Sequence, residues 1–380
     1  MTEKLFYEDS HMITFSAVVE ACEKVGEYYE AVLDRTAFFP EGGGQFADTG
    51  VIDGVKVLDA QEKEGIIYHK MEAPIEVGKQ VDGVIDWEER FSKMQQHSGE
   101  HIVSGLVHAA YGYDNVGFHM GSDMVTIDFD GMIGPEALQE IETEANRAVW
   151  ENIPIRCWYP SPEELPNVFY RTKKALPWPV RIVEVPGFDR CACCGVHVAH
   201  TGEVGLIKIL SLAKFHDGVR LGMLCGKRAY DYLGKIFEEN RKVSQVFSAK
   251  MPETGNAAVR MNEALSAEKF RAAALEKRLF AFLAEQYRGK GDVAHLEDGL
   301  NPAGVRDLAD AIAAVCGGRA AVLSGVDGNF AVCLIHQGGD VKEFANTMKT
   351  ALNGRGGGKP GTFQGTLNAT KAEIKEFFKF

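Results

Sequence analysis

The sequence predicts a multi-domain α/β (α+β) chain: a small N-terminal β-barrel, an α+β segment, a helical arm and a C-terminal α/β unit with a glycine-rich loop. Three observations carry this. A chain of 380 residues is long for a single domain. Short apolar runs with turn residues between them fill the first 88 positions, and a helical period replaces them from Trp87. A long, charged, alanine-rich stretch then separates two α/β regions. The expected domains are therefore 1–88, 89–230, 231–290 and 291–380.

In the first domain, Ala17–Val19, Tyr28–Leu33, Gly50–Leu58, Gly65–Lys70 and Val81–Asp86 read as strands. Pro40-Glu41-Gly42-Gly43-Gly44, Asp48-Thr49-Gly50 and Asp53-Gly54 punctuate them as turns. Glu88–Ala110 carries apolar residues at Phe91, Met94, Ile102, Leu106 and Ala109, a helical spacing. A strand at Met124–Phe129, a helix at Gly134–Glu151 and strands at Ile155–Tyr159 and Val180–Val185 follow. The arm reads as two helices broken near Met251–Gly255, the second spanning Ala257–Tyr287. Beyond 291 come strands at Ala320–Leu323 and Phe330–Leu334 and a helix at Val341–Leu352. The last leads into a loop, Gly354-Arg355-Gly356-Gly357-Gly358-Lys359-Pro360.

Composition narrows the function classes. The hydrophobic share of 45% and charged share of 25% are those of a globular protein rather than a disordered one. Met1–Ser16 lacks the basic start and apolar run of a signal peptide, and no stretch of about eighteen apolar residues occurs. A cytoplasmic protein without membrane spans is expected. The net charge of −13 argues against indiscriminate binding to nucleic acid but leaves room for a local basic face. Of the eight cysteines, Cys191, Cys193 and Cys194 crowd into four positions. In a large cytoplasmic chain such a cluster points to metal binding or reactivity rather than to disulfides.

His97 and His101 stand four apart on a predicted helix, so their rings leave one face a single turn apart. Cys193 and His197 repeat that spacing about ninety residues later, with Gly195 between them. Two such pairs supply the four nitrogen and sulfur ligands that zinc takes tetrahedrally. Cys191 and Cys194 are alternative sulfur donors. The same residues, His97-Ser98-Gly99-Glu100-His101, also fit the H-x-x-E-H pattern of inverted zinc peptidases, with Glu100 as base. That reading needs a carboxylate ligand on a later helix and leaves Cys193 and His197 without a task.

The glycines at 42–44 allow either a wide turn or close approach of backbone to a ligand, and Gln45 after them offers a donor and an acceptor. Gly354–Gly358 follows a helix, and Pro360 stands where a P-loop needs a hydroxyl after Lys359. A backbone-lined loop with Arg355 and Lys359 suits an RNA phosphate.

With these pieces assembled, the chain resembles the AlaX family, free-standing relatives of the editing domain of alanyl-tRNA synthetase, in its long form. Leu33 to Gly50, with Gly43-Gly44-Gln45 at its centre, looks like the family's barrel signature. Met94–Leu106 looks like the first metal helix, and Arg181 through Cys193-Cys194-Gly195-Val196-His197 to Gly205 like the second metal segment. The usual order there is cysteine, two small residues, threonine, histidine, so Cys194 and Val196 are departures. The final ninety residues resemble the synthetase's C-terminal domain. The resemblance implies zinc on His97, His101, Cys193 and His197, Gln45 reaching into the editing pocket, and tRNA contact through Arg355, Gly356, Gly357, Gly358 and Lys359. It also implies homodimerisation through the arm and C-terminal domain. The substrate implied is serine, with glycine as second candidate, wrongly esterified to alanine tRNA. A pocket sized for alanine rejects such near-isosteres poorly, so a separate hydrolytic site is needed for translation fidelity. Glu100 is the nearest candidate base. Nothing resembles the ATP-binding aminoacylation core, so ATP-independent hydrolysis is expected. The rivals are a zinc peptidase and a non-catalytic zinc- or tRNA-binding protein.

Overall fold

The computed structural model describes residues 1–172 and 178–379, and these divide into two compact units on either side of the step from Arg241 to Lys242. In the first unit six strands come in sequence: β1 (Thr14–Val25), β2 (Tyr28–Leu33), β3 (Gly50–Ile52), β4 (Val55–Lys63), β5 (Ile66–Met71) and β6 (Gln80–Ile85). They pair in the order β1-β2-β5-β4-β3-β6, and β6 returns to β1 with Val84 opposite Thr14, which closes the barrel. Alternation fills the interior: Phe15, Ala17 and Val19 are buried while Thr14, Ser16 and Val18 face out. The expected turn at Asp53-Gly54 divides the run Gly50–Leu58 into a tight hairpin. Asp53 and Gly54 take φ of 48° and 80° between β3 and β4, a two-residue turn whose twist suits a strand pair.

Helix α1 (Trp87–Tyr111) starts where the Asp86 carboxylate accepts the Glu89 N–H and ends at Gly112, φ 69°. Every residue from Met94 to Gly105 is buried, so this is a rod covered on all sides rather than a surface helix. Strands β7 (Asn115–Met120) and β8 (Val125–Phe129), helix α2 (Pro135–Glu151), and strands β9 (Arg156–Trp158), β10 (Ile182–Val185) and β11 (Asp189–Ala192) pack around it. Strands β12 (Ile207–Phe215) and β13 (Gly218–Cys225) complete a sheet of order β12-β13-β8-β7, and β9-β10-β11 form a smaller one. Phe15 and Val57 of the barrel, Met94 and Ile102 of α1, Ala145 of α2, and Ile127 and Leu221 of the sheet belong to one continuous core. The expected segments 1–88 and 89–230 therefore share a core instead of each enclosing its own.

Helix α3 (Gly226–Phe247) runs past the division into the second unit. There α4 (Thr254–Glu285) precedes β14 (Gly291–Leu296), α5 (Pro302–Cys316), β15 (Gly317–Val326), β16 (Asn329–His336) and α6 (Lys342–Ala351). Strands β17 (Gly354–Gly357) and β18 (Thr362–Leu367) and helix α7 (Lys371–Phe378) end it. The sheet order is β14-β15-β16-β18-β17, with only β14 and β15 parallel. Ala320 and Val322 face α5 and the end of α4, whereas Ala321 and Leu323 face α6 and α7.

Gly354–Gly357 is a strand, not the expected loop. It pairs with β18, Arg355 opposite Thr366, as the sheet's edge. A side chain at 356 would lie 2.3 Å from the Gln364 carbonyl oxygen, so that glycine serves close strand packing. Among the described residues no helix is long and apolar enough to cross a membrane.

Candidate metal centre and its cavity

Buried α1 presents His97 and His101 inward, and the loop after β11 brings Cys193 and His197 to them. The ligand-capable atoms of these four residues all lie within 4.8 Å of one another. Ring centroids are 4.6 Å apart for both His97–His197 and His101–His197, and His97 Nε2 is 3.4 Å from Cys193 Sγ. The approach is close enough that a Cβ on Gly195 would meet the His97 ring at 2.1 Å; glycine is required there.

Each imidazole is held from behind through Nδ1. His97 Nδ1 lies 2.8 Å from Gln45 Oε1, His101 Nδ1 2.9 Å from Asp189 Oδ2, and His197 Nδ1 3.2 Å from Ser98 Oγ. Asp189 is gripped in turn by Arg171, Nε to Oδ1 at 2.7 Å and Nη2 to Oδ2 at 3.0 Å. Such outer partners fix the tautomer and aim Nε2 forward, as around metal-binding histidines generally. His197 Nε2 is buried without a hydrogen-bond partner. An orphaned nitrogen facing a thiol and two more imidazoles fits a metal ion better than an empty contact.

The electrostatics agree. Burial pushes the Cys193 thiol up, but His97, His101 and His197 together outweigh it and hold it well below the usual thiol range, toward the ligating thiolate. Burial, helped by the charge of His97, lowers His197 to about 3, so it stays neutral. His101 is shifted upward because its bonds to Asp189 and Cys193 overcome desolvation. Cys193 is the sulfur gathered with all three imidazoles, while Cys191 stands with His101 and Asp189 in an overlapping group of three. Cys194 packs against Gly42 and Gly43, and burial raises the Cys191 thiol to about 11.

The cluster opens on a cavity of about 810 Å³ walled in part by Gly44, Glu100, Asn115, Phe118 and Arg181. Gly44, φ 84°, passes so near Phe118 that a Cβ would sit 2.5 Å from its ring, and Phe118 stacks on His97 at 5.2 Å. Arg181 Nη1 donates to the Cys193 and Gly195 carbonyls at 3.1 and 2.7 Å, and Tyr7 donates to the Cys194 carbonyl at 2.6 Å. Both fix the ligand loop.

Glu100 is buried on the cavity wall with Oε2 4.0 Å from His101 Nε2. Gln45 is fully buried and does not line the cavity: it backs His97 instead of reaching into the pocket, and its Nε2 has no partner. We expect Gln45→Ala to weaken metal binding or activity by ~10–100-fold, the usual loss of an outer-shell partner. Competition with a chromophoric chelator, beside a circular dichroism check of the fold, measures this. Unchanged metal affinity would remove Gln45 from the site. Arg355, Gly356–Gly358 and Lys359 lie in the second unit, where Lys342, Lys349 and Lys359 line one groove with Gly357 and Gly358. Ser98, Asp189, Arg171 and Asn115 stand around the cluster without any sequence spacing to signal them, because their partners are 11 to 100 residues away. The H-x-x-E-H alternative loses its footing, since Cys193 and His197 complete the cluster rather than a carboxylate from a later helix.

Fold and site together define the class: an α/β protein whose closed barrel and buried helix frame a three-histidine, one-cysteine cluster able to hold a metal. Residues 2–89 match the family of class II (A) tRNA synthetases, and 180–221 match the second additional domain of threonyl and alanyl tRNA synthetases. The alanyl-tRNA editing protein AlaX-L of Pyrococcus horikoshii is 32% identical over 79% of this chain and 75% of its own length. The alanyl-tRNA editing protein Aarsd1-A of Xenopus laevis is 28% identical over 91% and 87%. An alanine–tRNA ligase of Thermofilum pendens is 32% identical over 98% of this chain, which spans 43% of that ligase. The chain belongs to the alanyl-tRNA editing protein family.

Proposed function

We propose that the protein is a trans-editing hydrolase that deacylates misacylated alanine tRNA, the seryl ester first and the glycyl ester second. The observation that carries this is the buried His97–His101–Cys193–His197 cluster facing a cavity large enough for an aminoacyl adenosine end. Three imidazoles and a thiolate suit zinc. The chemistry zinc supplies there is Lewis acidity, which makes attack of water on an ester carbonyl feasible near neutral pH. Glu100 Oε2, beside His101, takes the proton of the attacking water and returns it to the leaving ribose oxygen. Gln45, Asp189 and Ser98 keep the three rings in register.

For the rest of the tRNA, exposed Arg355 and the lysine-lined groove of the second unit offer cations to the phosphate backbone. Helix α4 leaves Met261, Leu265, Leu275, Leu279 and Phe282 exposed. Met261, Leu275 and Phe282, and Leu265 and Leu279, repeat at multiples of seven, which suits a second copy of the chain. The protein acts in the cytoplasm, where tRNA is charged.

Incubating the purified protein with seryl-, glycyl- and alanyl-tRNA(Ala) tests the reading. Seryl ester should disappear at least ~10-fold faster than alanyl ester. A tRNA that binds while its ester survives would make this a non-catalytic binder instead.

A further inference from the structure

Tyr159 directly follows β9, stands on the cavity wall and is 49% exposed. Tyr7, on the same wall, meets its ring at 6.3 Å and 72°, an edge contact that leaves at least one face of Tyr159 uncovered by it. Tyr7 itself is spent. Its hydroxyl donates to the Cys194 carbonyl at 2.6 Å, and the Arg181 guanidinium lies 4.5 Å from its ring centroid. Among the described residues no cation and no second ring packs on Tyr159, and its hydroxyl has no hydrogen-bond partner. An aromatic face kept open on a cavity wall suits a flat ring as ligand.

We propose that the Tyr159 ring stacks on the adenine of the terminal nucleoside, the one whose ribose carries the ester. This rests on the hydrolase reading above and adds the residue that grips the RNA end. One cavity holds both positions, since His97, His101 and Cys193 line it together with Tyr159. The path between them runs from Cys193 to the neighbouring Cys194 carbonyl, to the Tyr7 hydroxyl, and across that ring to Tyr159. A ribose and its base bridge a gap of that order. With the ester carbonyl at the cluster, the adenine comes to Tyr159 and the preceding nucleotide lies farther out. Lys4 lines the same part of the wall, its Nζ 5.8 Å from the Tyr7 ring centroid and 2.7 Å from Glu62. Both side chains of that ion pair are partly exposed, and such a pair contributes little, so Lys4 is free to turn to the phosphate behind the terminal nucleoside. Every base offers a π-face, so the platform holds the end of the RNA without reading its sequence.

The test uses seryl esters of RNA stem-loops bearing the alanine acceptor end: one intact, one abasic at the terminal nucleotide, and one abasic at the nucleotide before it. Single-turnover rates, normalised to spontaneous hydrolysis, give kcat/KM. Wild-type protein should lose ~10-fold or more on the terminally abasic ester, the range of one base stacked on an aromatic side chain. Tyr159→Ala should lose as much on the intact ester with its metal content unchanged, and nothing further when the terminal base is also removed. Tyr159→Phe should match the wild type, because the ring is used and the hydroxyl is not. A fluorescent adenine analogue at the end of the uncharged RNA should be quenched by the wild type and by Tyr159→Phe but not by Tyr159→Ala, a signal that a merely structural tyrosine would leave unmoved. Additive losses from the two changes overturn the assignment, and so does coupling of Tyr159 to the penultimate base in place of the terminal one. A wild type indifferent to the missing terminal base overturns it without any variant. Wild-type protein that leaves every seryl ester intact would instead sink the hydrolase reading, and the quenching then decides the stacking by itself.

Discussion

Cys193→Ser and His101→Ala should each lose bound metal and slow seryl-tRNA(Ala) hydrolysis by ~10³-fold or more. Lewis-acid stabilisation is worth several kcal/mol of transition-state energy, and each 1.36 kcal/mol is tenfold in rate. The two changes disable the cluster differently. Serine in place of Cys193 keeps the volume but removes the thiolate that the three histidines hold well below its ordinary pKa against the opposing push of burial. Alanine in place of His101 removes a proposed ligand and leaves the Asp189 carboxylate with Arg171 as its one side-chain partner among the described residues. Both variants should keep the far-ultraviolet circular dichroism of the wild type, because Phe15, Met94, Ile102, Ala145 and Leu221 belong to one continuous hydrophobic core that neither change touches. They should nevertheless melt earlier by the stabilisation that metal gives only the folded state. Elemental analysis beside single-turnover kinetics decides it. A metal-free variant with wild-type activity would remove the metal from the reaction.

The contrast between these ligands and their supports explains what the sequence reveals. His97 and His101 are legible because a helix converts a four-residue spacing into a shared face. Cys193 and His197 are legible only as a second pair, since no local rule states that a loop ninety residues on folds against α1. Asp189, Ser98 and Asn115 leave no trace: each matters through partners at least eleven residues away, and each alone is an ordinary polar residue. Gln45 stands out by its glycines, yet the loop buries it against His97 and off the cavity wall, where the resemblance implied a place in the pocket.

The fold shows the same division. Alternation signals the barrel strands, though only Ala17–Val19 of Thr14–Val25 is read, and the helical period marks α1 to within a residue at either end. The strand β13 escapes because, apart from Arg220, both its faces are buried, so Leu221–Cys225 run without a polar alternation. Gly354–Gly357 misleads for the opposite reason. Glycine signals a loop, while here it lets an edge strand lie unusually close to its neighbour.

Asp48→Ala should destabilise the first unit by ~3–5 kcal/mol, the cost of stripping a buried charge of its partner. Arg90 is wholly buried and Asp48 is 1% exposed. Arg90 Nε donates to Asp48 Oδ2 at 2.8 Å, Nη2 donates to the same oxygen and to the Ala37 carbonyl, and Nη1 donates to the Ser10 carbonyl at 3.0 Å. Asp48 Oδ2 also accepts the Phe39 N–H at 2.6 Å. The pair thus ties the N-terminal segment and the loop that carries Gln45 to α1, seven residues before His97. Without the carboxylate, Arg90 keeps its charge in the core with only two carbonyls to answer it. Removing both charges is a different matter: Asp48→Leu with Arg90→Met should cost less than Asp48→Ala alone, because apolar groups of similar size often replace a buried ion pair with little loss. Urea denaturation with an unchanged slope measures both variants. Since the same clasp positions the Gln45 loop, metal affinity should fall in Asp48→Ala even below the denaturation threshold. A loss of less than ~1 kcal/mol, the range of an exposed pair, would show that the clasp contributes nothing beyond a surface ion pair.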